Sequence, residues 1–590
     1  MTPRPFPRPG AVAVLLLCLF LGGSARAAEP VTFEVKGLEG KPLENVRAAL
    51  TVPPGLVRDG KVDRDWLDRL ADGWRKAAET ALEPFGYYDA VARTEIVPAG
   101  DDRFRVVVTV SPGEPVRVTE VLVRVQGEGA STEALRRLAE NFPLRRGDVL
   151  RHDAYERRKG ALLSRAQDLG YLDADFPVHE IRVNPGEHRA EIDLVLDTGP
   201  RYFFGATTIR GGDRFPARFL DRYLAFHPGD PFSYRKLGET QLNYRNSDRF
   251  KEVVVTPEKE VAQGNRIPVS VVLTPSPAKR LRPGIGYGTD TGARFTVRYK
   301  DVNALRRGHA FESDLYFSEV RQTLGAKYTV PDLGNLKSET SLKAGLEQED
   351  TGTYLTKSAF TELERLRAFS HGRTGSLYLR VLYEDFTVGA ADDEAFLVLP
   401  GARFSQRSFS GAAIRPRSGY QYALELRGTH EALGSTTGLV QALASGNALI
   451  RLPARFSAFL RLDTAYTEKT DPLSEIPVSL RFFAGGDQSV RGYDYRSLGP
   501  KDESGKVVGG RNLLVGSVEL ERAIGRSWGA AVFYDAGNAF NAPTGIRLFQ
   551  GAGVGVRYYT PVGPIRLDLA RQINVPDPSF RIHLGLGFAF

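Results

Sequence analysis

Cysteine is almost missing from this chain. Cys18 is the only one in 590 residues, and it lies in a leader-like segment. Arg4 and Arg8 precede an apolar run from Ala11 to Leu21, and Ala25-Arg26-Ala27 supplies an A-x-A cleavage site. Residues 1–27 therefore read as a secretory signal peptide. A lipid-modified Cys18 fits poorly, because bulky Leu17 stands where a small residue is usual. With the leader removed, disulfides, thiol chemistry and metal sites built on sulfur are excluded. Long apolar runs are the second absence. No later stretch approaches the ~20 consecutive apolar residues that a membrane helix needs, so a membrane could be crossed only by a closed barrel. A strong charge bias is the third. The formal charge of +8 falls to +5 when Arg4, Arg8 and Arg26 leave with a leader that carries no acid. Basic and acidic residues are interspersed without a nucleic-acid stripe, so no nucleic-acid partner is expected. Catalytic signatures are also lacking: there is no H-E-x-x-H, no G-x-S-x-G and no P-loop, and the eight His residues form no ligand cluster. No enzyme activity, no cofactor and no metal site are expected.

What is present is alternation. In the closing segment from Phe580 to Phe590, large apolar side chains fill every even position, and Arg, His or small residues fill the odd ones. Successive side chains of a strand point to opposite faces, so this strand has one apolar face and one polar or small face. It ends on the aromatics Phe588 and Phe590, read here as a C-terminal signal. One such strand would suit a soluble sandwich. The pattern recurs, however, for some three hundred residues, through Phe295-Val297-Tyr299, Phe311-Leu315-Phe317, Tyr420-Tyr422-Leu424-Leu426, Leu460-Leu462 and Ile565-Leu567-Leu569. Lipid outside and water inside account for an apolar face opposite a charged one.

Residues 28–277 have another texture. Strand-like runs alternate with helical periodicity in three units, 28–113, 114–199 and 200–277. Each unit reads strand–helix–helix–strand–strand. The first helix places Trp66, Leu70, Trp74, Ala77 and Ala81 on one face. The second places Tyr155, Leu162, Ala166 and Leu169 inward before Gly170, and the third carries Tyr234, Leu237, Gln241 and Tyr244. Gly86-Tyr87-Tyr88-Asp89-Ala90 returns as Gly170-Tyr171-Leu172-Asp173-Ala174, 84 residues later. Repetition at a fixed period marks an arm of small α/β modules. The order and the echo resemble POTRA (polypeptide-transport-associated) domains; three generic α/β domains are the alternative. The edge of such a sheet can accept an extended client segment as an added strand.

The fold class expected is thus α+β modules followed by an all-β membrane barrel over residues 278–590. These 313 residues, at roughly 18–20 per strand and connection, give about sixteen strands. Closure joins a first strand bearing Gly284, Gly286 and Gly288 to a last strand bearing Gly585 and Gly587. Glycine weakens a strand. Two readings stand: a seam that parts toward the bilayer, or inward glycines that relieve crowding.

The sharpest local signal runs from Phe482 to Tyr493, where a strand is expected to lead into Gly485-Gly486 and then Val490-Arg491-Gly492-Tyr493. A long loop follows to Arg511, with room for five strands after it. Glu519 alternates with Val518 and Leu520 and so points inward; with Asp535 on the next strand it could hold one guanidinium. A solvated loop charge is the alternative for Arg491. Val490-Arg491-Gly492-Tyr493, Gly516-Ser517-Val518-Glu519-Leu520 and Phe533-Tyr534-Asp535-Ala536-Gly537 resemble three motifs, in order, of the barrel superfamily that includes BamA, TamA and FhaC. The resemblance implies that the loop tucks into the lumen and that Arg491, Gly492, Tyr493, Glu519 and Asp535 form a structural lock.

Three modules resemble the TamA branch, whereas BamA-type members usually carry five and FhaC-type members two with a plug helix. The resemblance implies a bacterial outer-membrane location with the arm in the periplasm. It further implies assembly of outer-membrane protein clients, autotransporters among them, beside a TamB-like inner-membrane-anchored subunit and outer-membrane lipid. A two-partner secretion-type pore and lipid transport across the envelope are the rival functions.

Overall fold

The computed structural model describes residues 30–586, except 60, 101, 390, 413–414, 470–472 and 561–562. The leader expected at 1–27, and Gly587, Phe588 and Phe590, lie outside the described residues.

Three small sheets come first, and each repeats one arrangement. In the first, Val31–Lys36 runs parallel to Phe104–Ser111, which pairs antiparallel with Val91–Pro98 on its other side. In the second, Arg117–Gln126, Arg189–Asp197 and Asp175–Asn184 take the same places. The third sheet has Arg266–Pro275 between Phe250–Pro257 and Phe203–Arg210. The closing strand of each module is therefore central, which is why its inward positions are uniformly apolar. Phe104, Val106, Val108 and Val110 are buried in the first, Ile192, Leu194 and Leu196 in the second, and Ile267, Val269, Val271 and Leu273 in the third. The other two strands are left as edges.

Helices cover the sheets with faces slightly different from those expected. Arg64–Thr80 starts at Asp63, whose carboxylate accepts from the Trp66 N–H at 3.0 Å. Its buried stripe runs through Leu67, Trp74, Ala78 and the following Ala81, and not through Trp66 and Ala77. Trp74 meets Phe33 edge-on at 5.1 Å and donates to Thr51 O at 2.9 Å. Trp66 stands at the rim over Gly55. In His152–Asp168, Tyr155, Leu162 and Ala166 are buried, and Leu169 follows the last turn partly covered. In Tyr234–Arg245 the inward residues are Leu237, Thr240 and Tyr244; Tyr234 is exposed. Thr240 is inward because its hydroxyl accepts from the Ala225 N–H at 2.9 Å.

The repeated Gly-Tyr-x-Asp-Ala motif marks the joints. The Val116 N–H donates to Gly86 O, and the Tyr202 N–H donates to Gly170 O, each at 2.7 Å. Gly86 (φ +90°) and Gly170 (φ +99°) are both left-handed. A Cβ at Gly170 would lie 2.7 Å from Tyr202 O, so close approach and backbone conformation both require glycine there.

From Lys279 the chain forms a closed antiparallel barrel of sixteen strands. The first is Lys279–Gly288 and the sixteenth Phe580–Leu586. Burial is inverted relative to a water-soluble protein. Ile285 is 91% exposed on the outer wall, whereas the inward carboxylates Glu362 and Asp535 are 0% exposed. Inward charges are paired: Glu362 meets Lys343 at 2.8 Å, Arg380 at 2.7 Å and Arg403 at 2.9 Å. Among the described residues no helix is long and apolar enough to cross a membrane. An apolar outside around a satisfied ionic inside is the arrangement that lipid demands of strands.

Candidate functional site

The eleventh barrel strand, Phe456–Lys469, and the twelfth, Asn512–Ile524, are joined by the longest loop. The expectation that a strand reaches Phe482 and Phe483 is corrected: the eleventh strand ends at Lys469. Short 3-10 turns at Leu473–Glu475 and Val478–Leu480 carry the chain into the lumen instead. Ile476 and Leu480 are buried beside Leu382, Leu397 and Leu439, and Val478 beside Phe386 and Val388. Phe482 pairs with Gly510 inside the loop, and Phe483 packs on Tyr354 at 5.0 Å.

The structure brings Arg491, Glu519 and Asp535 together. Asp535 is on the thirteenth strand, Trp528–Phe540. Arg491 Nε and Nη2 donate to the two Asp535 oxygens at 2.7 and 2.9 Å, a bidentate fork. Its backbone N–H donates to the same carboxylate at 3.0 Å. Nη1 donates to Glu519 at 2.7 Å and to Asp568 at 3.2 Å. The guanidinium lies 3.4 Å from the centre of the Phe533 ring, within cation–π range. Arg557, on the fourteenth strand Phe549–Thr560, bonds Glu519 at 2.9 Å and Asp568 at 2.5 Å. Two arginines thus alternate with three carboxylates, and each charge is countered by direct charge-assisted bonds. The Gly492 N–H donates to His583 Nε2 at 2.9 Å, and Gln572 donates to Gly492 O at 2.8 Å. Tyr493 donates to Gln550 O at 3.3 Å and meets Phe549 edge-on. Arg461 grips the loop backbone at Gln488 O and, at 2.6 Å, at Ser489 O.

A second attachment lies beyond the motif. Glu349, on the fifth strand Ser338–Asp350, accepts from Tyr495 and from Arg496 at 2.9 Å each. Tyr354, at the head of the sixth strand, donates to Glu349 at 3.0 Å and also meets Arg496.

Every residue of the first strand pairs with the second strand, Gly292–Ala304. Toward the sixteenth strand, among the described residues, only Gly288 and Gly585 are in register. The Thr289 N–H donates to Leu584 O at 3.2 Å, and the Leu584 N–H donates to Thr289 Oγ1 at 3.4 Å. Gly284 and Gly286 face the second strand opposite Thr296 and Arg294.

Sequence reasoning did not assign Arg557, His583, Gln572 or the Glu349–Tyr354–Tyr495–Arg496 group to the loop. Ser517 and Phe533 stand within the quoted motifs, and Asp568 is legible as inward; their partners are not. Among the described residues no group of three or more His, Cys, Asp or Glu is placed to hold a metal ion.

Residues 287–590, just over half the chain, match the Omp85 superfamily domain. Residues 32–112 match the POTRA domain described as TamA domain 1, and residues 202–276 match the POTRA model described as a surface antigen variable number repeat. The outer membrane protein assembly factor BamA of Nitratidesulfovibrio vulgaris is 20% identical over 471 residues, 71% of this chain and 56% of that protein. The chloroplastic outer envelope protein 80 of Arabidopsis thaliana is 34% identical over 117 residues, 18% of this chain and 14% of that one. The matched region is less than two thirds of the length of either relative. The structure of BamA from Haemophilus ducreyi lacking POTRA domains 1–3 superposes with a TM-score of 0.64 at 16% identity, covering 80% of this chain and 99% of that one. That likeness is one of fold.

Proposed function

Because this chain belongs to the Omp85 superfamily, we propose that it inserts client β-barrel proteins into a bacterial outer membrane. The POTRA arm stands in the periplasm and receives clients or a partner at its strand edges. The seam between the first and sixteenth strands parts toward lipid, and its edges template the strands of the client. The free energy comes from client folding and burial of apolar surface in the bilayer. Within the superfamily we assign the chain to the TamA type, with autotransporters among its clients and a TamB-like inner-membrane-anchored subunit as partner. Three α/β modules and the character of the first one support that assignment. Arg491, Gly492, Tyr493, Glu519 and Asp535 act as a structural lock for the loop and not as catalytic groups.

The observation that carries the reading is that both closing strands bear glycine, Gly284, Gly286 and Gly288 on the first and Gly585, in register with Gly288, on the last. Glycine packs no side chain across the ladder and weakens a strand, so the barrel opens most readily where both closing strands carry it.

The test is a disulfide between Gly288→Cys and Gly585→Cys in the mature chain, reconstituted in liposomes with an unfolded outer-membrane barrel as client. Client insertion is expected to stop when the cross-link is complete and to return on reduction. Insertion at an unchanged rate in the cross-linked protein would remove the seam from the mechanism. Lipid movement, followed in the same vesicles with the TamB-like subunit present, separates protein insertion from lipid transport.

A further inference from the structure

The loop does more than attach to the barrel wall: it touches both sides of the closure at one level. Asp290 lies in the turn between the first and second strands, and His583 on the sixteenth. Both side chains are almost fully enclosed, at 1% and 2% exposure. The Asp487 N–H of the loop donates to Asp290 Oδ2 at 2.5 Å. Five residues on, the Gly492 N–H donates to His583 Nε2 at 2.9 Å. An N–H can only donate, so Nε2 is unprotonated and the ring carries its proton on Nδ1. That proton faces Asp290 Oδ1 across 3.9 Å. Neither Nδ1 nor Oδ1 has a hydrogen-bond partner, so the remaining polar atom of the ring and that of the carboxylate are turned toward each other. Asp494 of the loop also pairs with Arg581 on the sixteenth strand.

The backbone is built for this approach. Gly486 has φ +107°, and a Cβ there would lie 2.5 Å from Asp290 Oδ2. Only glycine lets the turn bring the Asp487 N–H onto the carboxylate.

We infer that Asp290 and His583 are positioning residues, the two posts of a clasp by which the loop holds the first and last strands together from inside the lumen. Among the described residues the strand ladder sets Gly288 in register with Gly585 at this seam; the loop contributes a bond to each side. Parting the seam while the loop stays seated therefore requires release of Asp290 from Asp487 or of His583 from Gly492. The clasp deepens the seam part of the proposed function and rests on it. Its test reads the seam itself, without client, so the two fail separately.

Spin labels on Ile285→Cys and Ile582→Cys face outward on the first and last strands. Their backbones are about 20 Å apart along the seam, six residues at the rise of a strand. The full mature chain is studied in lipid nanodiscs by electron–electron distance measurement. Asp290→Ala and His583→Ala are each expected to raise the long-distance fraction roughly three- to tenfold, the factor for one lost hydrogen bond. The double variant should open no further than the larger single, because the posts act as one unit. His583→Gln should stay closed: its amide oxygen accepts from Gly492 and its NH2 faces Asp290. Heat-modified mobility on gels identifies folded samples, and Asp290→Leu and His583→Phe, which keep the side-chain bulk and remove the acceptor, serve if an alanine variant does not fold. Folded alanine variants with unchanged distances, or a lowered melting midpoint without any change in distance, would overturn the clasp. So would a His583→Gln seam as open as that of His583→Ala. In any of these cases client insertion by the cross-linked protein still decides the proposed function.

Discussion

Arg491 is the residue on which most of the site's bonds converge, and its chemistry is specific to a guanidinium. Lysine at this position could keep the charge, but it could not bond both Asp535 oxygens in one plane while reaching Glu519 and lying flat on Phe533. Arg491→Lys is expected to destabilise the barrel by about 2 kcal/mol, the value of a charged hydrogen bond left unmade. Arg491→Ala should cost about 3–5 kcal/mol, because Asp535 is left buried without its cation. The urea midpoint of the folded band on unheated gels measures both; a lysine variant as stable as the parent would refute the fork. The inward direction of Glu519, Asp535, Arg557 and Asp568 is legible in the sequence, since strand alternation alone fixes it. Which cation meets which anion is not. Arg557 stands in register with Arg566, a like-charge pair on paper, yet its bonds run diagonally to Asp568 and across two strands to Glu519. Only the assembled wall sets that geometry.

Among the elements, the modules were readable to within one residue of helix phase. Trp66 and Leu67 are adjacent and both apolar, so stripes through 66-70-74-77-81 and through 67-70-74-78-81 fit the sequence equally well. The packed sheet decides for the second, burying Leu67 and Ala78 and leaving Trp66 and Ala77 only partly covered. The joints were visible only as an echo. Their physics is a backbone bond to a left-handed glycine, repeated at Gly86 and Gly170. The first joint also carries a titratable contact: Tyr88 of the first module and His152 of the second lie 2.7 Å apart. Burial pushes the His152 pKa down from 6.5, with Glu83 and Glu156 opposing. A base whose pKa is lowered on packing favours the packed state above its free pKa and loses that support as the pH falls through the free and then the packed value. The joint is therefore expected to loosen between about pH 6.5 and lower pH. Distances between labels on the two modules at pH 7.5 and 5.5 test this. The spread should widen at pH 5.5, and His152→Gln should remove the pH dependence. An equal spread at both pH values in the parent would refute it.

The loop turns a wall into a braced cylinder. Asp535 is on the thirteenth strand and Glu349 on the fifth, eight apart in a ring of sixteen, so the attachments of Arg491 and Arg496 lie on opposite walls. Between them the loop spans the lumen as a strut. Strand number was accessible by arithmetic, because length per crossing is fixed by bilayer thickness. The second foot was not, since Glu349 is 147 residues from Arg496 and nothing local links them. The remaining lumen already holds a cavity of about 610 Å³, lined by Glu364, Arg403, Glu425 and Asp463 as well as apolar groups. Charged walls keep such a space wet. Ion flow is then limited by the strut and not by the cylinder. In planar bilayers the parent chain should show only small, brief conductance steps. Arg496→Ala weakens one foot, where Tyr495 still bonds Glu349, and leaves the loop tethered by Arg491, so it should raise the frequency of steps more than their size. Arg491→Ala combined with Arg496→Ala should give steps several-fold larger and longer-lived, because the strut then has no firm end on either wall. If the double variant conducts like the parent while it remains folded on unheated gels, the loop is not what closes the lumen.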